Sequence, residues 1–134
     1  MPPSTSKKNK LPLGIDIVEV KKAKSFYAAH GHNLASLFFP DEVRRIRRSK
    51  APHETLALFF AAKEAVFKAM GREWMGREGF KKIHIFPGKS RTFGIRLESD
   101  FKDRFSLRLR GVFLKNRHYR VALVNVDEKK RALL

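Results

Sequence analysis

The stretch from Pro52 to Met70, closed by Gly71, has a helical pattern and is apolar nearly all round: Leu56, Phe59, Phe60, Ala61, Ala62, Val66, Phe67 and Met70 leave it no broad polar face. A helix of that kind belongs in a core, so the rest of the chain has to be arranged around it. Charge enters its greasy middle at Lys63-Glu64, with Lys68 one turn later. Burying charge is expensive unless a cation or a partner compensates it, which makes these residues the first to ask for a chemical role.

The flanking segments supply what such a helix packs against. Leu11 to Val18 reads as a strand, with Leu13, Ile15 and Ile17 on one face and Gly14, Asp16 and Val18 on the other. Asp16 therefore points away from the leucine and isoleucine side chains. Glu19 to His30 reads as a short helix with Ala23, Phe26 and Tyr27 inward and Lys21, Lys22 and Lys24 outward, and Gly31 is placed to end it. Asn33 to Phe39 is a second helical turn. A third helix starts at Pro40-Asp41-Glu42, with acids in its first turn, and ends in Arg44, Arg45, Arg47, Arg48 and Lys50.

Beyond Gly71 the pattern shifts to a loop around Trp74 to Gly79 and then to strands over about 82–86 and 92–98, joined by a turn at Pro87-Gly88-Lys89-Ser90. Phe101 to Arg110 fits both a helix (Phe101, Phe105, Leu109) and a strand (Phe105, Leu107, Leu109); we favour a strand over 105–114. Tyr119 to Val126 reads as a final buried strand. The order strand, helices, strands predicts an α+β single domain over residues 11–127, with one long buried helix and a C-terminal antiparallel sheet. A disordered basic tail is expected over 1–10 and a charged tail over 128–134.

Composition narrows the chemistry. The 134 residues suit one domain, and they include no Cys, which excludes disulfides, thiolate metal sites and cysteine nucleophiles. Thirty Lys and Arg against 13 Asp and Glu give a net charge of +17, a field that attracts acidic proteins or nucleic acid. No apolar run reaches a membrane span or a signal peptide, so a cytoplasmic protein without a membrane partner is expected.

Asp16 on the strand and Glu64 on the core helix are hard oxygen ligands. Two carboxylates completed by waters and substrate phosphates are the usual way a protein holds Mg²⁺. A simpler account is an ordinary i, i+4 pair of Glu64 with Lys68. Glu19 fits either a third acid or an N-terminal helix cap. His84 alternates with Ile83 and Ile85, has no neighbour at metal-ligand spacing, and reads as a residue on the polar face of a strand.

Gly14-Ile15-Asp16-Ile17-Val18-Glu19 resembles the first motif of the holo-acyl-carrier-protein synthase branch of the 4′-phosphopantetheinyl transferases. Phe60-Ala61-Ala62-Lys63-Glu64-Ala65-Val66-Phe67-Lys68-Ala69-Met70-Gly71 resembles the second. The resemblance implies transfer of the 4′-phosphopantetheine arm of coenzyme A to a serine of an acidic acyl carrier protein, with release of adenosine 3′,5′-bisphosphate, in service of fatty acid biosynthesis. It also implies Mg²⁺ held by Asp16 and Glu64. Lys63 would contact phosphate or help remove the serine proton, and Lys63, Lys68, Gly71 and Lys115 would contact coenzyme A. Lys21, Lys22 and Lys24, with Phe26 as an apolar anchor, would receive the carrier, joined by the arginines from Arg44 to Arg48. A homotrimer is implied as well.

The chain departs from the family pattern at two places. Phe59 stands where relatives usually carry Arg, and Leu114-Lys115-Asn116 stands where Ser-His-Thr normally precedes the last strand. These departures motivate an alternative, a relative that binds an acidic carrier without catalysis. The charge motivates another, a basic nucleic-acid-binding protein.

Overall fold

The computed structural model describes residues 13–70, 79–98 and 107–128. The elements run β1 (Leu13–Glu19), α1 (Val20–His30), a 3-10 segment (Gly31–Ser36), α2 (Pro40–Arg48), α3 (Pro52–Ala69), β2 (Ile83–Pro87), β3 (Thr92–Leu97), β4 (Leu107–Lys115) and β5 (Tyr119–Glu128). The five strands form one antiparallel sheet in the order β1-β5-β4-β3-β2. The α+β architecture expected from the sequence is the one observed. Among the described residues no helix is long and apolar enough to cross a membrane.

The apolar helix α3 is the centre of the core, with Leu56, Phe59, Ala61, Ala62, Ala65, Val66 and Phe67 buried. It lies against the face of the sheet that carries Phe113, Ala122 and Val124, while Leu34, Phe38, Ile46 and Phe80 close the other side. Period-2 alternation puts Gly14, Asp16 and Val18 on the helix side of β1, and Leu13, Ile15 and Ile17 on the outer side, where they are exposed.

Gly14 sets how closely helix and strand meet. A Cβ built there would lie 1.9 Å from the Ala65 carbonyl oxygen and 2.6 Å from the Ala69 amide nitrogen. Only a residue without a side chain lets the α3 backbone come this near.

Several boundaries differ from the sequence reading. The strand β1 continues through Glu19, so α1 begins at Val20; Glu19 takes the N-cap position with extended backbone but makes no side-chain cap hydrogen bond. Gly31 does not stop the chain in a left-handed turn. It keeps right-handed angles (φ −59°) and leads directly into the 3-10 segment, which replaces the turn expected over Asn33 to Phe39. The expected turn at 87–90 is displaced by two residues, to 89–92. Its central pair is Ser90-Arg91, both at positive φ (54° and 66°), closed by Thr92 N–H to Lys89 C=O at 3.0 Å. The strand favoured over 105–114 is β4 at Leu107–Lys115, and β5 extends to Glu128, one residue into the tail expected from 128. The expected tail over 1–10, most of the expected 128–134 tail, the loop around Trp74 and residues 99–106 lie outside the described residues.

Replacing Gly14 by Ala is expected to destabilise the fold by about 2 kcal/mol or more, because helix and strand have no room for a methyl group. Urea titration checks this as a lower midpoint at unchanged slope.

Candidate functional site

The close approach at Gly14 brings two acids together. Asp16 lies two residues on along the same face of β1, and Glu64 precedes Ala65, the residue against which Gly14 packs. Both carboxylates line a cleft of about 430 Å³ walled by Val18, Lys22, Ala23, Phe26 and Phe60. Phe26 meets Phe60 edge to face at 5.0 Å between ring centroids, which fixes the apolar wall.

Electrostatics show that the two charges interact. Burial pushes the Glu64 carboxyl above its ordinary value, the Asp16 charge adds to that, and Lys68 opposes both. The Lys68 ammonium donates to Asp16 Oδ1 at 2.8 Å and to the Ile15 carbonyl at 3.3 Å, so its hydrogen bond goes to Asp16, and on Glu64, its partner in the simpler i, i+4 account, it acts through charge. A raised carboxyl favours the protonated acid in the fold. Its contribution to stability is therefore fullest at low pH and is lost as pH rises through the folded value. Two mutually repelling carboxylates beside one half-exposed lysine fit a divalent cation, whose charge would answer both. Among the described residues no group of three or more His, Asp or Glu could hold a metal. An ion here would draw its other ligands from water and phosphate oxygens, the habit of Mg²⁺.

Lys63 is not in this cleft. One residue along a helix is a turn of about 100°, and Lys63 is fully buried, its ammonium donating to Glu42 Oε1 at 2.8 Å, the Phe80 carbonyl at 2.9 Å and the Leu37 carbonyl at 3.5 Å. The rings of Phe38, Phe39 and Phe80 surround it at 5.0, 5.2 and 5.6 Å. Burial lowers its pKa to about 8 against the raising pull of Glu42. With its donors spent inside the core, it reaches neither phosphate nor a serine hydroxyl in this conformation, contrary to the role expected from the sequence. Glu42 completes the node by accepting from Phe39 N–H at 2.8 Å and from Ile85 N–H at 2.9 Å.

A second cleft, of about 730 Å³, opens on another side of α3. Arg44, Arg45 and Arg48 from the exposed face of α2 and Arg91 from the β2–β3 turn converge on it, over an apolar floor of Leu58, Phe59 and Phe113. Asp41 is the carboxylate at its rim, and both its oxygens lie 2.8 Å from His84 Nε2. Burial raises the Asp41 pKa, but the hydrogen bond and charge of His84, with Arg44, outweigh that and hold it below the ordinary value. His84 is stacked between Phe39 and Phe86, at 4.2 and 4.1 Å between centroids, so it is more than the plain polar-face residue read from the sequence.

The 4′-phosphopantetheinyl transferase superfamily model, for the holo-acyl-carrier-protein synthase type, matches residues 12–124. The chain belongs to this family. It is 33% identical over 96 residues to the holo-acyl-carrier-protein synthase of Wolinella succinogenes, covering 71% of this chain and 78% of that one. With the synthase of Hamiltonella defensa it shares 31% identity over 122 residues, 87% and 97% of the two chains. The crystal structure of the Helicobacter pylori synthase in complex with coenzyme A superposes with a TM-score of 0.73 at 25% identity, covering 86% of this chain and 99% of that one. That of the Neisseria meningitidis synthase superposes at 0.76 with 22% identity, covering 89% and 100%, and supports the fold.

Within this transferase, the structure gathers Asp16, Glu64, Lys22 and Phe26 at one cleft, with Lys68 ion-paired to Asp16, while Lys21 and Lys24 lie exposed on α1. Glu19 lines a neighbouring hollow with Ile17, Lys22 and Tyr119, away from the acid pair. Lys115 is exposed at the end of β4 beside Arg91 and Leu58, and Gly71 lies outside the described residues. Arg47, grouped with its neighbours in the sequence, is used instead to donate to the Gly31 carbonyl at 2.8 Å. Arg91 lines the second cleft, a placement that nothing near it in the sequence announces.

Lys63→Met leaves the Glu42 charge buried without its partner and is expected to cost about 3 kcal/mol or more. Thermal melting reads this as a large drop in midpoint. An unchanged midpoint with lost activity would restore the catalytic role.

Proposed function

We propose that this transferase works as a Mg²⁺-dependent holo-acyl-carrier-protein synthase in the cytoplasm, with Asp16 and Glu64 as the metal ligands. The observation that carries the reading is the pair of acids in one cleft, with the Asp16 charge adding to the cost that burial places on an ionised Glu64. In the reaction, the serine oxygen of the carrier forms a bond to the phosphorus that bears the pantetheine arm. The bond from that phosphorus to the bridging pyrophosphate oxygen breaks, and adenosine 3′,5′-bisphosphate leaves. When bound, Mg²⁺ offsets the negative charge on pyrophosphate oxygens. Because such transfers depend mainly on positioning and charge, no protein nucleophile is required.

The chain's own residues divide the remaining work. Lys68, beside Asp16, adds positive charge next to the reacting phosphates. Lys115 and Gly71 contact coenzyme A. Lys21, Lys22 and Lys24 on α1 attract the acidic carrier, and Phe26 in the cleft wall gives it an apolar anchor. Lys63 serves from inside, locking α3 to α2 through Glu42.

Self-association accounts for the outer face of the sheet. Register aligns Ile15 with Leu123 and Val112, and Ile17 with Val121 and Leu114, and of these Ile15, Ile17, Val112 and Leu114 are between 40% and 60% exposed. A contiguous apolar surface of this kind calls for cover, and a homotrimer of this chain is the cover proposed. Ile17→Lys is expected to shift the light-scattering mass from trimer to monomer; a wild-type monomer would refute the assembly.

Incubation with coenzyme A, Mg²⁺ and apo carrier protein is expected to add ~340 Da to the carrier, with Asp16→Ala and Glu64→Ala each lowering the rate ~100-fold or more at an unchanged melting midpoint. Full activity in either variant would remove that residue from the metal site.

A further inference from the structure

Along β5, the residues on the α3 side of the sheet are Arg120, Ala122 and Val124. Ala122 and Val124 are fully buried, and Arg120 beside them is only 5% exposed. An apolar residue would serve packing in this row as well, and a guanidinium taken out of water has to find partners. Arg120 finds three. Its Nη2 donates to Glu54 Oε1 in the first turn of α3 at 2.7 Å, and its Nη1 to the main-chain carbonyls of Asn116 at 2.6 Å and Tyr119 at 3.1 Å.

Those carbonyls belong to the turn between β4 and β5. It is built around Asn116, whose Oδ1 accepts from the N–H groups of His118 and Tyr119, both at 2.8 Å, and whose own N–H donates to the Tyr119 carbonyl at 3.1 Å. The same turn holds the start of α1. Val20 N–H, at the first residue of that helix, donates to the His118 carbonyl at 2.8 Å. The first N–H groups of a helix have no partner inside it, and Glu19 in the N-cap position makes no side-chain cap hydrogen bond. A carbonyl of the β4–β5 turn supplies the acceptor instead.

We propose that Arg120 is a positioning residue for carrier recognition, tying the start of α1 to α3 through the β4–β5 turn. The inference rests on the function proposed above. Helix α1 carries the lysines and Phe26 that receive the carrier, and α3 carries Glu64, beside which the carrier serine has to meet the phosphorus. Transfer therefore depends on how the two helices are set against each other. Arg120, Glu54 and Asn116 line neither the acid cleft nor the arginine cleft, so they act through that setting. Arginine suits the task because its rigid fork grips a carboxylate of one element and carbonyls of another at fixed angles.

Arg120→Met fills the buried position without the fork. Steady-state transfer is expected to show KM for the apo carrier raised about tenfold and KM for coenzyme A held within about threefold, because Lys115 stays paired with residue 120 through the backbone ladder. Loss of a positive charge would also weaken attraction of an acidic carrier, so Glu54→Ala separates the two causes. Removing this acid would lower the carrier KM by attraction alone, whereas released positioning is expected to raise it about threefold. Glu54 is half-exposed, so the variant is expected to fold with a melting midpoint near that of the wild type. Glu54→Gln, which keeps an oxygen for Arg120, is expected to restore the carrier KM to within about twofold of the wild type. A carrier KM that falls or holds in Glu54→Ala, or that rises equally with the KM for coenzyme A, overturns the proposal. If the wild type modifies no carrier, the proposed function fails, and hydrogen exchange at the Val20 amide still decides this one. Faster exchange in Glu54→Ala than in the wild type supports it; an unchanged rate overturns it.

Discussion

The contact of β1 with α3 at Gly14 is the constraint on which the rest of the structure depends. Hydrophobic burial alone would bring a greasy helix onto a sheet, but at the spacing that side chains dictate. Here a backbone carbonyl and a backbone amide of the helix occupy the space a Cβ would need. Two residues further along the same strand face stands Asp16, and one residue before the contacted alanine stands Glu64. The acid pair is therefore a geometric consequence of a missing side chain. Burial raises the Glu64 carboxyl and the neighbouring Asp16 charge adds to that, and a cation is what would offset both.

A second node keeps the other side of α3 in place. Lys63 and Glu42 form a fully buried ion pair that also takes up backbone groups of Phe39, Ile85 and Phe80. Pairs of this kind contribute little net stability compared with apolar packing, while loss of one partner is severe. Its effect is to tie α2, α3 and β2 together in one arrangement. Since α2 carries three of the cleft arginines and α3 carries Glu64, the same node relates the two charged clefts. The high positive charge of the chain thus has two local expressions, the lysines of α1 beside the acid cleft and the arginines of the second.

Much of this was legible in the sequence where the physics is local. Period-2 alternation put Asp16 on the face opposite Leu13, Ile15 and Ile17, and the absence of a polar face marked α3 as central. Where it failed, long-range partners decided. Lys63 sits beside Glu64 in the motif, but a helix apolar all round does not reveal which of two adjacent charges faces inward; Glu42, 21 residues away, settles it. His84 lacked a partner nearby because Asp41 lies 43 residues before it. The positive-φ turn was hidden because Ser90-Arg91 lacks the Gly or Asn that would announce it.

The central claim is that Asp16 and Glu64 share one ion. A crystal structure of the protein with Mg²⁺ and coenzyme A tests it directly. The account predicts a single ion with an oxygen from each carboxylate at about 2.0–2.1 Å and pyrophosphate oxygens among its remaining ligands. An ion held elsewhere, or a pyrophosphate bound with no metal between the two acids, would contradict it.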